Sequence, residues 1–146
     1  MTTLGGLRLR AADADDIPVL SAFLQDAVVP VKDMTYLHDE KRFVMVANRF
    51  RWEDAVGDHV EGRIYERVHC GVCFDHVTAV RRRGLDRTRA NQILALLSME
   101  TGENYIDLLF AADVAIRLEV AWILCHLDDI DEPWPTQWRP AHRLDD

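Results

Sequence analysis

The chain has 146 residues, enough for one hydrophobic core, and its 49% apolar and 29% charged residues match the composition of soluble globular domains. Its formal charge of −8 argues against a general binder of nucleic acids or anionic membranes. The longest apolar run, residues 120–125, is far shorter than the roughly 20 residues of a membrane-spanning helix. The first ten residues carry no apolar block with a cleavage site, and three cysteines are too few for a disulfide framework. We therefore expect a cytoplasmic protein without a membrane segment.

Two short elements open the chain. Leucine and arginine alternate over residues 7–10, which is the period of a half-buried strand. Aspartates then precede apolar residues at helical spacing, and Pro18 fits within the first turn of a helix, where its missing N–H is not needed. The sequence predicts a helix over about residues 15–27.

A two-residue period dominates the rest of the chain. Residues 93–101 fit either a helix or a strand, and the turn residues 102–104 favour a strand that begins a hairpin. The predicted strands comprise residues 34–37, 42–51, 63–74, 77–83, 93–101, 105–110 and 114–120. Only one helix is available to cover the apolar face of such a sheet. The sequence therefore predicts an α+β fold in which the N-terminal helix packs on a curled or partly closed antiparallel β-meander of six to eight strands.

The composition changes near the C-terminus. Residues 128–132 contain four acids, and three prolines follow, which exclude a central strand. We predict a single domain over residues 1–127 and, over 128–146, an extended tail that packs on it. Trp134 and Trp138 in this tail could anchor a partner, or they could hold the tail on the chain's own sheet.

Cysteine and histidine cluster in two short strings. The side chains concerned are His69, Cys70, Cys73, His76, Cys125 and His126. Their types suit zinc, but Cys70 and Cys73 are three positions apart in a predicted strand, so their side chains face opposite ways. We interpret the cysteines as structural and predict no metal or cofactor. A metal-binding protein or an enzyme built on these six residues is kept as the alternative.

Five arginines lie within nine residues of this acidic chain. They are Arg81, Arg82, Arg83, Arg87 and Arg89. Such a cluster could bind a phosphate, a carboxylate-rich partner or a nucleic-acid backbone, or its arginines could pair with acids on neighbouring strands. No aromatic residue lies between positions 79 and 90 to stack on bases, so RNA-backbone binding is the weaker alternative.

The chain contains none of the common catalytic signatures. It has no G-x-S-x-G, no glycine-rich phosphate loop with a lysine and no H-E-x-x-H. These absences favour a non-catalytic binding or adaptor domain that uses the arginine cluster and the tryptophan-bearing tail. The expected partner is an unknown protein or a small anionic ligand.

Long strings of the sequence resemble one known family. They are LRLRAADADDIPVLSAFLQDAVVPVKDMTYL, KRFVMVANRFRWE, YERVHCGVCFDHVTAVRRRGLDR, IRLEV and CHLDDIDEPWPTQWRPAH, which together span residues 7–142. The chain is similar in these strings to an uncharacterised bacterial family, domain of unknown function 2948. The resemblance implies a small stand-alone bacterial protein, and it implies no activity, cofactor, partner or site residue.

Overall fold

The computed structural model describes residues 6–51, 67–86, 88–89 and 91–130. These ranges hold one α-helix, three 3-10 turns and ten strands. In chain order they are β1 (Arg8–Ala11), α1 (Ile17–Phe23), β2 (Val28–Pro30), β3 (Met34–Leu37), β4 (Arg42–Phe50), β5 (Arg67–Phe74), β6 (Val77–Arg83), β7 (Ile93–Gly102), β8 (Tyr105–Phe110), β9 (Val114–Val120) and β10 (Cys125–Asp129). None of the helices in these ranges has the length and apolarity that a membrane crossing needs.

The strands form one antiparallel sheet with two ends. Its order is β1-β10-β5-β4-β2-β7-β8-β9-β6, and β3 pairs with the first half of β4. The described strands form two short meanders, β3-β4-β5 and β7-β8-β9, rather than one. They are not continuous because β10 inserts between β1 and β5 and β2 joins β4 to β7. The sheet therefore ends at β1 on one side and at β6 on the other.

Alternate side chains of the strands fill a single core, around which the sheet curls. Phe43, Met45 and Ala47 of β4 lie in this core with Cys70 and Phe74 of β5. The same core contains the inward residues of β7, β8, β9 and β10, together with Ile17 and Leu20 of α1. One apolar face of the sheet thus packs against itself and against the helix, as the two-residue period predicts.

The predicted number of strands and the predicted length of the helix are both wrong. The described residues form ten strands rather than six to eight, because the three residues of β2 and the polar residues of β10 lack a clear two-residue alternation. The helix has seven residues, preceded by the 3-10 turn Ala14–Asp16, instead of extending over residues 15–27. It ends at Phe23, shortly before Asp26, which adopts a left-handed φ of 64° and donates its N–H to the carbonyl of Leu96 at 2.7 Å.

The strand prediction for residues 93–101 is confirmed by β7, and the hairpin turn at Glu103 and Asn104 by the start of β8 at Tyr105. At the predicted boundary between domain and tail, β10 continues to Asp129. The rest of the predicted tail, with Trp134 and Trp138, lies outside the described residues, as do residues 52–66 and Arg87.

One buried ion pair joins β4, β10 and the N-terminal strand. Arg49 is fully buried, and its Nε and Nη2 donate to the two carboxylate oxygens of Asp129 at 3.0 and 2.9 Å. Its Nη1 donates to the carbonyl of Phe50, while the N–H of Leu7 donates to Asp129. Arg49 continues the inward-facing row of Met45 and Ala47, so the end of β4 places a charge where its earlier residues place apolar side chains.

Candidate functional site

The three consecutive arginines at the end of β6 lie on alternate faces of the sheet. Arg81 and Arg83 lie on the outer face, and both have acidic partners there. The Nε of Arg81 donates to Glu119, and this hydrogen bond raises the pKa of the arginine. Arg83 lies 3.6 Å from a carboxylate oxygen of Asp113. These two arginines therefore pair with neighbouring acids, which is one of the two interpretations of the arginine cluster.

The positive charges on the outer face next to β6 are balanced by carboxylates on the same face. Arg117 of β9 is the register partner of Arg81, and on its other side it pairs with Asp107 of β8. It donates to both carboxylate oxygens at 2.7 and 2.9 Å, and its guanidinium lies 3.8 Å from the centre of the Tyr105 ring. Little positive charge on this face is left for a ligand.

Arg82 differs from its neighbours. It lies on the same side as Val80, which packs against the core, and its guanidinium forms no hydrogen bond or ion pair with any residue in the described ranges. It lines a surface cavity of about 430 Å³, which we call the basic pocket. The lining residues are Val31, Lys32, Arg82, Leu85, Asp86, Arg89 and Gln92. Three cations and one carboxylate thus meet in a chain whose formal charge is −8.

Backbone pairing and one short turn build the basic pocket. The N–H of Val31, just after β2, donates to the carbonyl of Gln92, which precedes β7. The Gln92 side chain accepts from the N–H of Asp86 at 3.2 Å. Thr88 donates from both its N–H and its hydroxyl to Asp86, at 3.0 and 2.6 Å, and these bonds lower the pKa of Asp86. Among the described lining residues, Asp86 is the one carboxylate, and it shapes the loop that carries Arg89.

Gly84 redirects the chain from β6 into this loop. Its φ is +83°, and a Cβ at this position would lie 2.7 Å from the carbonyl oxygen of Asp113. A residue other than glycine would suffer both the left-handed backbone and a contact with fixed backbone atoms. The sequence Arg83-Gly84-Leu85 thus ends the strand and sends Leu85 toward the core.

The cysteine and histidine candidates divide between the two faces of the sheet. Cys70 and Cys125 lie in the core, as the strand period predicts, whereas Cys73 and His126 are register partners on the outer face of β5 and β10. His69 precedes Cys70 on β5, and the ring of His76 lies 3.9 Å from that of Trp122 in a turn. No group of three or more His, Cys, Asp or Glu side chains suited to a metal ion occurs within residues 6–51, 67–86, 88–89 and 91–130.

Cys73 and His126 open onto a second surface cavity, of about 410 Å³. Its lining is Leu37, Glu40, Arg42, Val44, Cys73, Asp75, His126 and Asp128. Asp75 accepts from the Nε of Arg42 at 2.8 Å and lies 3.8 Å from Nδ1 of His126. Burial, followed by the charge of Asp75, raises the pKa of Cys73 to about 12. The thiol therefore stays protonated near neutral pH, which does not suit a nucleophile.

Comparison with known families shows to which protein family the chain belongs. Residues 7–142 match the model of a family described as a protein of unknown function, DUF2948. The chain belongs to the DUF2948 family. No curated protein and no solved structure matches it significantly. The match confirms the resemblance seen in the sequence strings, and the geometry of the DUF2948 chain has to supply the candidate site.

The sequence indicates only part of the basic pocket in this DUF2948 chain. The arginine cluster points to Arg82 and Arg89, while Arg87 lies outside the described residues. Lys32 and Gln92 carry no signal of their own. The pairing of β2 with β7 brings them to the arginines, because it places Pro30 opposite Ile93.

We expect the thiols of the native DUF2948 chain to react with iodoacetamide at pH 8 at least about a hundredfold more slowly than in the denatured chain. The thiolate is the reactive form, and burial raises the pKa of Cys70 and Cys73 to about 12 and that of Cys125 well above its ordinary value. Mass spectrometry after timed labelling measures the rates, with glutathione in the same buffers as the control. Labelling of native Cys73 at the denatured rate would contradict this and would support the enzyme alternative.

Proposed function

We propose that the DUF2948 chain is a non-catalytic binding domain that recognises an anionic group, a carboxylate or a phosphate, in the basic pocket. One observation carries the proposal. Arg82, alone among the three arginines of β6, has a guanidinium without an acidic partner in the described ranges, and it lines a cavity with Lys32 and Arg89. An arginine fork can donate two parallel hydrogen bonds to a carboxylate or phosphate, and this arrangement adds geometric specificity to the strength of charge-assisted bonds.

The size and lining of the basic pocket support this role. A cavity of about 430 Å³ falls in the range that holds a small ligand or the side chains of a peptide. Val31 and Leu85 are half-buried against the core and give the pocket apolar walls. Such walls exclude water from part of an anionic ligand and so strengthen its hydrogen bonds to the cations.

The same charges give less support to RNA-backbone binding. Proteins that bind a nucleic-acid backbone neutralise several phosphates in a row with unpaired lysines and arginines. Here Arg81 and Arg83 have acidic partners and Arg117 is held by Asp107. Within the described part of β6, this leaves Arg82 as the arginine without an acidic partner, and one such cation does not make a stripe. The part played by Trp134 and Trp138 stays an expectation from the sequence.

Two double variants with the same loss of charge test the proposal. Arg82→Gln with Arg89→Gln removes two cations from the basic pocket, whereas Arg81→Gln with Arg83→Gln removes two from the outer face. We expect the first pair to weaken binding of citrate and inorganic pyrophosphate at low salt by at least about tenfold, because one charge-assisted hydrogen bond contributes about 1.5–3 kcal/mol. The second pair should weaken it less than about threefold. Isothermal titration calorimetry measures both. Equal losses in the two pairs, or no binding of either anion to the unaltered chain, would contradict the proposal.

A further inference from the structure

The strand that carries the arginines is also an end of the sheet. β6 pairs with β9 along one side, and no described strand pairs with its other side. The β-bulge between Val77 and Ala79 limits the regular part of this open edge to residues 79–83. An open edge is a template for an added strand, because its unpaired N–H and C=O groups can bind another extended chain.

The register shows which backbone groups of β6 face this open edge. The N–H of Val120 donates to the carbonyl of Asn104. The backbone groups of Val120 and of every second residue before it on β9 therefore form their hydrogen bonds with β8. The residues between them, including Arg117, form their backbone hydrogen bonds with β6. Their register partners Ala79, Arg81 and Arg83 are therefore the β6 residues whose backbone groups bind β9. The N–H and C=O groups of Val80 and Arg82 are left to the open edge.

Two independent features thus coincide at Arg82. Its backbone faces the open edge, and its guanidinium is the one on β6 that has no acidic partner in the described ranges and lines the basic pocket. An extended chain bound beside β6 would bring its own side chains opposite Arg82 at cross-strand distance, about 4.5–5.5 Å between Cβ atoms. A carboxylate at that position would reach the cations of the basic pocket.

We propose that the ligand of the DUF2948 chain is an extended acidic peptide segment of another protein, which adds to β6 as a further antiparallel strand. This proposal rests on the proposed function and names the source of its anionic group. An acidic side chain of the peptide enters the basic pocket beside Arg82. The main chain of the peptide binds the N–H and C=O groups of Val80 and Arg82.

Charge decides between an acidic peptide and a second copy of the chain. In the register centred on Arg82, two β6 edges side by side would place Arg82 of one copy opposite Arg82 of the other, and like charges opposite each other destabilise a sheet. An acidic strand meets complementary charge at Arg82 and at the other cations of the basic pocket. The charge of Arg82 thus disfavours self-association, the usual hazard of an open edge, and favours an acidic partner.

Three peptides test the strand addition. The probe is an acetylated, amidated nine-residue peptide of alternating glutamate and valine, the first control carries lysine in place of glutamate, and the second is the glutamate peptide N-methylated at its internal amides. The second control keeps every charge but cannot form a ladder. We expect the glutamate peptide to bind at least about tenfold more tightly than either control, as measured by fluorescence anisotropy. We also expect it to slow hydrogen exchange of the Val80 and Arg82 amides at least about tenfold, as measured by NMR.

A backbone variant adds a test on the protein side. Val80→Pro removes an N–H that faces the open edge and spares the pairing with β9. We therefore expect it to lower the affinity for the glutamate peptide about tenfold and to leave the affinity for citrate unchanged. Equal binding of the N-methylated peptide, with no protection of Val80 and Arg82, overturns strand addition while the proposed function stands. If the pocket double variant and the outer-face double variant lose the same affinity for citrate, the proposed function itself is overturned. Equal binding of the lysine peptide overturns the choice of an acidic partner.

Discussion

Replacing Asp129 by asparagine is expected to lower the free energy of unfolding by about 3–5 kcal/mol, a large part of the total stability of a domain of this size. The change removes a negative charge that the fully buried Arg49 binds through two hydrogen bonds, at 3.0 and 2.9 Å. It also weakens the acceptor for the N–H of Leu7, which holds the chain just before β1. Urea denaturation of both proteins at one pH measures the difference.

An exposed pair of the same geometry provides the control. Arg117 binds Asp107 through two oxygens at 2.7 and 2.9 Å, but the arginine side chain is 46% exposed, whereas that of Arg49 is not exposed at all. Asp107→Asn is expected to cost no more than about 1 kcal/mol, because water screens and solvates an exposed pair. A cost for Asp129→Asn that does not exceed that of Asp107→Asn would show that the buried pair has no special role.

Phe74→Ala is expected to cost about 3–5 kcal/mol. Phe74 is fully buried on β5, and its ring centre lies 6.2 Å from that of Phe43 on the neighbouring strand. Its other register partner is Cys125 of β10, so the substitution opens a cavity beneath three strands at once. The midpoint of urea denaturation should fall while the slope of the transition stays the same.

An exposed aliphatic residue serves as the matched control for the core variant. Ile93 begins β7 and is 62% exposed, so Ile93→Ala should change the free energy of unfolding by no more than about 0.5 kcal/mol. If Phe74→Ala and Ile93→Ala have similar effects, the core assigned to β4, β5 and β10 is wrong.

The sequence predicts those parts of the fold in which local pattern and tertiary environment agree. The strand at 114–120 alternates apolar and polar residues, and the structure buries its alternate positions. The opposite orientation of Cys70 and Cys73 follows from the same period, because β5 is continuous through both. Residues 93–101, ambiguous by themselves, form a strand because the turn at Glu103 and Asn104 returns the chain to β8.

The remaining features depend on contacts between distant parts of the chain. β2 has three residues and is a strand only because Val28 lies between Asn48 and Ala95. Nothing near Arg49 in the sequence indicates its burial, since the acid that makes it possible is 80 residues away.

The same limit applies to the candidate site. The arginine cluster is visible in the sequence, but the difference between Arg81 and Arg82 is not. That difference arises because Glu119 of β9 lies on the outer face beside Arg81, while Lys32 joins Arg82 through the pairing of β2 with β7. Charge density in a sequence therefore locates a basic segment, and the acids on neighbouring strands determine which of its members remain available to a ligand.

The side-chain Nε–Hε signals of the arginines, followed by ¹⁵N NMR while citrate is added, test the central claim most directly. Each arginine reports separately in one sample, and no substitution disturbs the fold. We expect the signals of Arg82 and Arg89 to shift together and saturate, while those of Arg81 and Arg83 change little because their acidic partners hold them. Shifts that begin at Arg81 and Arg83, or that are equal at all four arginines, would contradict it.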